Sequence, residues 1–177
     1  MLFRSVEDTQ PRTIPSFGLV KSGANYVMAL RPTLEAKKKL GADQVLFAPG
    51  GVVQETGAAN FMLIDAERVI TPSLNSSFLH GVTRDSLLRL ASDLGMKVEE
   101  REVSVAEVID WARRPDAEAG LSGTAAVLSP VGTLLYKGET IPVGKGGIGE
   151  QSMRLRKALT DLHVGAAADP YGWLTLP

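Results

Sequence analysis

The chain has no cysteine and only two histidines in 177 residues. Without cysteine there is no disulfide framework and no thiolate metal site. His80 and His163 lie far apart in sequence, which argues against a multi-histidine metal centre, so no metal is expected. An excess of charge of one sign is also missing. Nineteen basic residues face 20 acidic ones, for a net charge of -1. That balance offers no general attraction to nucleic acid or to an anionic membrane. No apolar run reaches the roughly 18 residues of a membrane span. The opening MLFRSVEDTQPRTIP carries acidic residues and no apolar h-region, unlike a signal peptide. What is present, 44% apolar and 22% charged residues, is ordinary for a soluble globular protein. The length suits one domain with a sizeable core. A soluble, cytoplasmic domain is the expectation.

Residues 1–16 are polar, contain Pro11 and Pro15, and read as an extended lead-in with little core of their own. Residues 17–177 then read as a single domain. Phe17–Val20 is predicted as a short strand. The spacing of Met28, Leu34 and Leu40 predicts a helix from Asn25 to Leu40, with Pro32 in its first turn or kinking it and Gly41 ending it. Strands are expected at Gln44–Ala48, Val52–Glu55 and Asn60–Asp65, with Val69-Ile70 closing that unit and a turn at Pro49-Gly50-Gly51. Leu87, Leu88, Ala91 and Leu94 share a face of a helix over Thr83–Leu94, ended by Gly95. Lys97–Val103 alternates like a strand, and Ser104 suits the cap of a helix over Val105–Ala112. Ala125–Leu128 and Thr133–Tyr136 read as strands around a Pro130–Gly132 turn. Gly144–Gly149 reads as a glycine-rich turn and Ser152–Leu162 as a final helix. Helices and strands mix without strict βαβ alternation, which favours an α+β fold.

Four short segments could carry chemistry, and each has a plainer reading. Lys21, in GLVKSGANY, is most simply a solvated lysine. As a nucleophile toward a carbonyl it would need burial or a cationic neighbour to lower its pKa. Glu55, between Val52-Val53 and Gly57-Ala58-Ala59, is either a buried partner for a cation or an edge residue facing water. In LHGVTRDS, Gly81 and Thr83 precede a helix. That is an anion site by its free amides, or an ordinary cap by Thr83. LSGTAAVLSPVG, Leu121 to Gly132, allows close backbone approach to a ligand, or simply turns into a strand. KGGIGE, Lys145 to Glu150, matches neither the dinucleotide nor the P-loop pattern. Lys37-Lys38-Lys39 reads as a solvated helix face.

In this order and at these spacings the four segments resemble the branched-chain amino-acid aminotransferases, class IV (fold type IV) pyridoxal-phosphate enzymes. The resemblance runs from about Phe17 to the C-terminus. K-S-G-A-N-Y stands for the family's K-x-x-G-N-Y, E-T-G-A-A-N for E-x-G-x-x-N, and L-H-G-V-T-R for L-P-G-[IV]-T-R. S-G-T-A-A stands intact at Ser122–Ala126, and D-P-Y-G-W-L closes the chain as in the family. The fold implied is the larger, C-terminal domain of the D-amino-acid aminotransferase-like class.

The resemblance also implies roles. Lys21 would be the lysine that links pyridoxal 5'-phosphate and moves the substrate proton. Glu55 would pair with the pyridine nitrogen, keeping the ring an electron sink. Tyr26 would hydrogen-bond near the phenolic oxygen, and Leu79 would pack on the ring. Val82, Thr83 and Thr124 would hold the phosphate, and the Thr124-Ala125 backbone would reach the substrate carboxylate. The reaction implied is amino transfer between leucine, isoleucine or valine and 2-oxoglutarate. Related activities on the scaffold are a D-amino-acid aminotransferase and an aminodeoxychorismate lyase. A non-catalytic assembly module is the reading from a different class. His80 replaces the family's usual proline, and Ala24 stands where a second glycine is common. Family members are about twice as long, with an N-terminal domain before the lysine segment. This chain is therefore expected to be an incomplete, C-terminal part that forms a homo-oligomer or joins a missing N-terminal half. Its small-molecule partners would be an amino acid and a 2-oxo acid.

Overall fold

The computed structural model describes residues 2–175. In chain order the elements are β1 (Leu2–Glu7), α1 (Gly23–Leu40), β2 (Gln44–Phe47), β3 (Asn60–Ile64), β4 (Arg68–Pro72), α2 (Val82–Asp93), β5 (Lys97–Arg101), α3 (Val105–Ala112), β6 (Glu118–Gly123), β7 (Val127–Tyr136), β8 (Glu139–Pro142) and α4 (Glu150–His163). The strands make one mixed sheet in the order β2-β1-β7-β6-β3-β4-β5, with β8 pairing with β7. Pairs β1·β2, β1·β7 and β4·β5 are parallel and the others antiparallel. This mixed sheet with packed helices agrees with the α+β expectation.

β3 is buried along its whole length because both sheet faces are covered. Met62 and Ile64, with Val69, pack under Leu87, Leu88 and Ala91 of α2 and Leu155, Leu159 and Leu162 of α4. Phe61 and Leu63 point the other way, into a cluster with Val105, Val108, Ile109 and Trp111 of α3. The two-residue period of a strand thus divides one apolar run between two cores. Ala29 and Ala36 of α1 pack on Val45 and Phe47 of β2 in a third, smaller cluster. The final segment folds back on α2. Tyr171 stacks on Trp173, and its hydroxyl donates to Asp93.

Several expectations need correction. Residues 1–16 are not a lead-in without core, because β1 is inserted between β2 and β7, and Arg4, Arg12 and Thr13 are buried. Their polarity reflects pairing of both strand edges and burial of paired cations, which apolar periodicity does not report. Phe17–Val20 is a pair of turns, with Phe17 N–H donating to the Ile14 carbonyl and Val20 N–H to the Phe17 carbonyl. Its apolar side chains are exposed. Val52–Glu55 makes only isolated bridges. Pro130–Gly132 is no turn, since β7 runs straight through it. The missing proline donor is tolerated there beside a register irregularity opposite Leu2 and Phe3. Ala125 and Ala126 belong to the turn of the β6–β7 hairpin rather than to a strand. Pro32 lies in the middle of α1, not in its first turn. β6 and β8 were missed. Gly41 (φ 69°) ends α1, and the Ser104 hydroxyl caps α3 by accepting from the Glu107 amide, both as predicted.

Candidate active site

The β3 and β6 ends, the loop before α1 and the entrance of α2 converge on one cleft of about 250 Å³. Its lining includes Arg12, Lys21, Tyr26, Glu55, Leu79, Val82, Thr83, Ser122 and Thr124. All seven residues singled out as cofactor contacts are therefore brought together. Ala125 is set apart. It lines an adjoining cleft of about 340 Å³ that shares Ala58, Ala59, Gly123 and Thr124 with the first.

The floor of the cleft is buried. Glu55 is 2% exposed. Its Oε1 lies 3.0 Å from Arg12 Nε and accepts from the Leu79 amide at 3.2 Å, and its Oε2 accepts from Asn60 Nδ2 at 3.1 Å. Burial pushes the carboxyl up to about 7 against the pull of Arg12 and the Leu79 amide. The same Asn60 amide donates to the Leu79 carbonyl at 2.8 Å, so one side chain ties the carboxylate to the loop entering α2. A Cβ on Gly81 would stand 2.2 Å from Asn60 Oδ1, which explains the glycine at that point.

At the other end Gly81 is the N-cap of α2, and no side chain caps it. The alternative of a Thr83 cap is thereby removed, and the first-turn amides are left for an anion. Arg84, 2% exposed, fixes that turn to the sheet by donating to the Pro72 carbonyl and to Glu100.

Lys21 stands at the rim and is exposed, as are Val82, Thr124 and Ala125, so the cleft is open on that side. Three hydrogen bonds fix its loop. Asn25 Nδ2 donates to the Phe17 and Val20 carbonyls, each at 2.7 Å, and the Gly18 amide donates to Ser76.

Three site residues escaped the sequence reading. Asn60 stands in the sequence only as the last residue of E-T-G-A-A-N, with no role of its own marked there. Ser122 is 2% exposed, and its hydroxyl finds no hydrogen-bond partner among the described residues. Arg12 was lost in the supposed lead-in. The one available signal was an arginine between Pro11 and Pro15. Among the described residues no cluster of three potential ligands could hold a metal, and no helix is long and apolar enough to cross a membrane.

A flat heteroaromatic phosphate ester meets matching groups in this set. A buried carboxylate would face the ring nitrogen, an uncapped helix start would face the phosphate, and an unpartnered buried hydroxyl and a rim lysine complete the lining. The amino-transferase class IV family model matches residues 8–132. The chain belongs to that family. A protein of Streptomyces coelicolor named a probable branched-chain-amino-acid aminotransferase is 41% identical over 96% of this chain and 48% of its own length. A branched-chain amino acid aminotransferase from Thermobaculum terrenum, solved in its PLP-form, superposes with a TM-score of 0.81 at 28% identity, over 98% of this chain and 54% of that one. The enzyme of the same name from Escherichia coli gives 0.79 at 31% identity, over 98% and 56%. The chain spans about half the length of the curated relatives it matches.

Proposed function

We propose that the cleft binds pyridoxal 5'-phosphate and that the protein transfers amino groups between branched-chain amino acids and 2-oxoglutarate. The observation that carries this reading is the buried Glu55 carboxylate at the floor of a cleft whose other end is the uncapped start of α2. The cofactor would supply an electron sink for the bond cleaved at the substrate Cα. Around it the chain's own groups have separable tasks. Glu55 holds a proton on the ring nitrogen. The amides of Val82 and Thr83, with the Thr83 and Thr124 hydroxyls, take the phosphate. Leu79 packs on the ring, and Tyr26 hydrogen-bonds at its phenolic edge. Lys21 links the cofactor and carries the proton to and from the substrate Cα. The Thr124-Ala125 backbone, on the side of the adjoining cleft, receives the substrate carboxylate.

The names of the relatives support branched-chain substrates. Lys21 needs a drier surrounding than its present exposure offers, because water weakens each charge interaction at the reacting atoms. The open side is accordingly closed by association, with a second copy or with a segment equivalent to the relatives' unmatched half. Exposed Phe17, Leu19, Val20, Val27, Leu30 and Leu34 supply an apolar surface beside the lysine loop for it. A cytoplasmic setting fits this metabolic role.

Borohydride added in the presence of pyridoxal phosphate should trap the cofactor on Lys21 and on no other lysine. Peptide mapping that finds the label on Lys37, Lys38 or Lys39 instead would remove the basis of the proposal.

A further inference from the structure

Glu55 does not stand alone at the floor of the cleft. Arg12, 2% exposed, arrives from the segment between β1 and α1 and lays its Nε 3.0 Å from Glu55 Oε1. Its Nη2 donates to the Gly57 carbonyl at 3.1 Å, which anchors the guanidinium to the turn following the glutamate. Its Cζ lies 5.2 Å from the centroid of the Tyr26 ring, within cation–π range. The backbone amide of Arg12 donates to Gln54 Oε1, on the residue before Glu55. Nη1, like Nε, is buried with no hydrogen-bond partner among the described residues, and Arg12 is one of the residues lining the cleft. A buried cation with an unspent donor beside a ligand cleft is costly unless the site uses it.

On the reading that the cleft takes pyridoxal phosphate, we propose that Arg12 is a positioning residue: it favours the ionised form of Glu55 and aims the carboxylate at the cofactor ring, and it fixes Tyr26 against the same cation. Burial alone would protonate Glu55 near neutral pH, and a protonated carboxyl cannot hold a proton on the ring nitrogen. The hydrogen bonds from Asn60 and the Leu79 amide orient the carboxylate but bring no full charge. Arg12 is the cation in contact with it, while Lys21, Tyr26 and His80 are the other titratable groups that line the cleft.

The test compares wild type, Arg12→Met and Arg12→Lys in the full chain. Glu55 is titrated by carboxyl carbon NMR without cofactor, and pyridoxal phosphate affinity is measured across pH by fluorescence. Binding depends on ionised Glu55, so it weakens as pH falls through the Glu55 pKa. Removing the adjacent charge should move both the Glu55 titration and this acid limb to higher pH by about one unit or more. Affinity at pH 7 should fall about tenfold or more, and lysine should restore part of both. Unchanged profiles in a folded Arg12→Met variant would show that the pair only holds the fold, and overturn the proposal. Should that variant not fold, the Arg12 Nε resonance of the wild type decides. It should follow the Glu55 titration and shift when cofactor is added, and indifference to both would overturn the proposal equally. Wild type that binds no cofactor at any pH refutes the cofactor reading. The cofactor-free titration then still decides whether Arg12 favours the ionised form of Glu55.

Discussion

Glu55→Gln is expected to leave the fold intact and to lower single-turnover conversion of leucine to its oxo acid by about a hundredfold or more. The variant keeps the side chain's size and one acceptor, but it removes the charge that holds a proton on the ring nitrogen while negative charge develops at Cα. A buried charge-assisted pair at that point contributes on the order of 3 kcal/mol, and about 1.4 kcal/mol is tenfold in rate. A second signature requires no turnover. The Glu55 carboxyl sits at about 7 in the folded protein against an ordinary 4.5. Its folded pKa is raised, so the stability it contributes is fully present below about 4.5 and is lost as pH rises through about 7. The difference corresponds to about 3 kcal/mol as an order of magnitude. Urea unfolding without cofactor should show this decline between pH 5 and 8 in wild type and a flatter profile in Glu55→Gln. An unaltered transfer rate in the variant would show that another group serves the ring nitrogen.

Gly18→Ala should damage the site from a distance. A Cβ at Gly18 would lie 2.2 Å from the Ser77 carbonyl carbon and 2.3 Å from the Phe78 nitrogen, both backbone atoms. Neither can swing aside as a side-chain tip would. The lysine loop and the loop leading to Leu79 must separate, at a cost of about 2 kcal/mol. The melting temperature should fall by about 4–8 °C. Lys21 would withdraw from the cleft, and borohydride labelling at that residue should drop severalfold. Gly23→Ala is the matched control, because a Cβ there meets nothing within 4 Å. Equal melting temperatures and labelling for the two variants would mean that the loop contact does not set the lysine's place.

The sequence disclosed the helices better than the strands, for identifiable reasons. α2 and α3 announced themselves through apolar spacing and the Ser104 cap. β1 did not, because its alternation is broken by Arg4 and Glu7, and its pairing is with strands distant in sequence. β7 was cut in two because Pro130 and Gly132 carry turn signals that the sheet overrode. The cleft was legible through motifs whose residues come from separate loops, and all seven proposed cofactor contacts line it. The plainer reading of Lys21, a solvated lysine beside a glycine turn, matches its exposure at the rim of the cleft. Arg12 was illegible because a buried cation is recognised by its partner. Glu55 lies beyond α1 and β2 in the chain, and nothing local to Arg12 marks the pair.

The place of β1 in the sheet bears on how the chain acquires its structure. Arg4 pairs with Gln44 on one side and Leu134 on the other. During synthesis β1 and β2 emerge before β7 and can pair first, but the free edge of β1 waits for β7, which follows β3 to β6 in the chain. The sheet therefore has high contact order and closes late, and folding rates fall as such distant pairings dominate. Until closure the unfinished edge can recruit strands from other nascent chains, a route to aggregation. Slow elongation or a chaperone that shields this edge should raise the soluble yield more than any change in the helices.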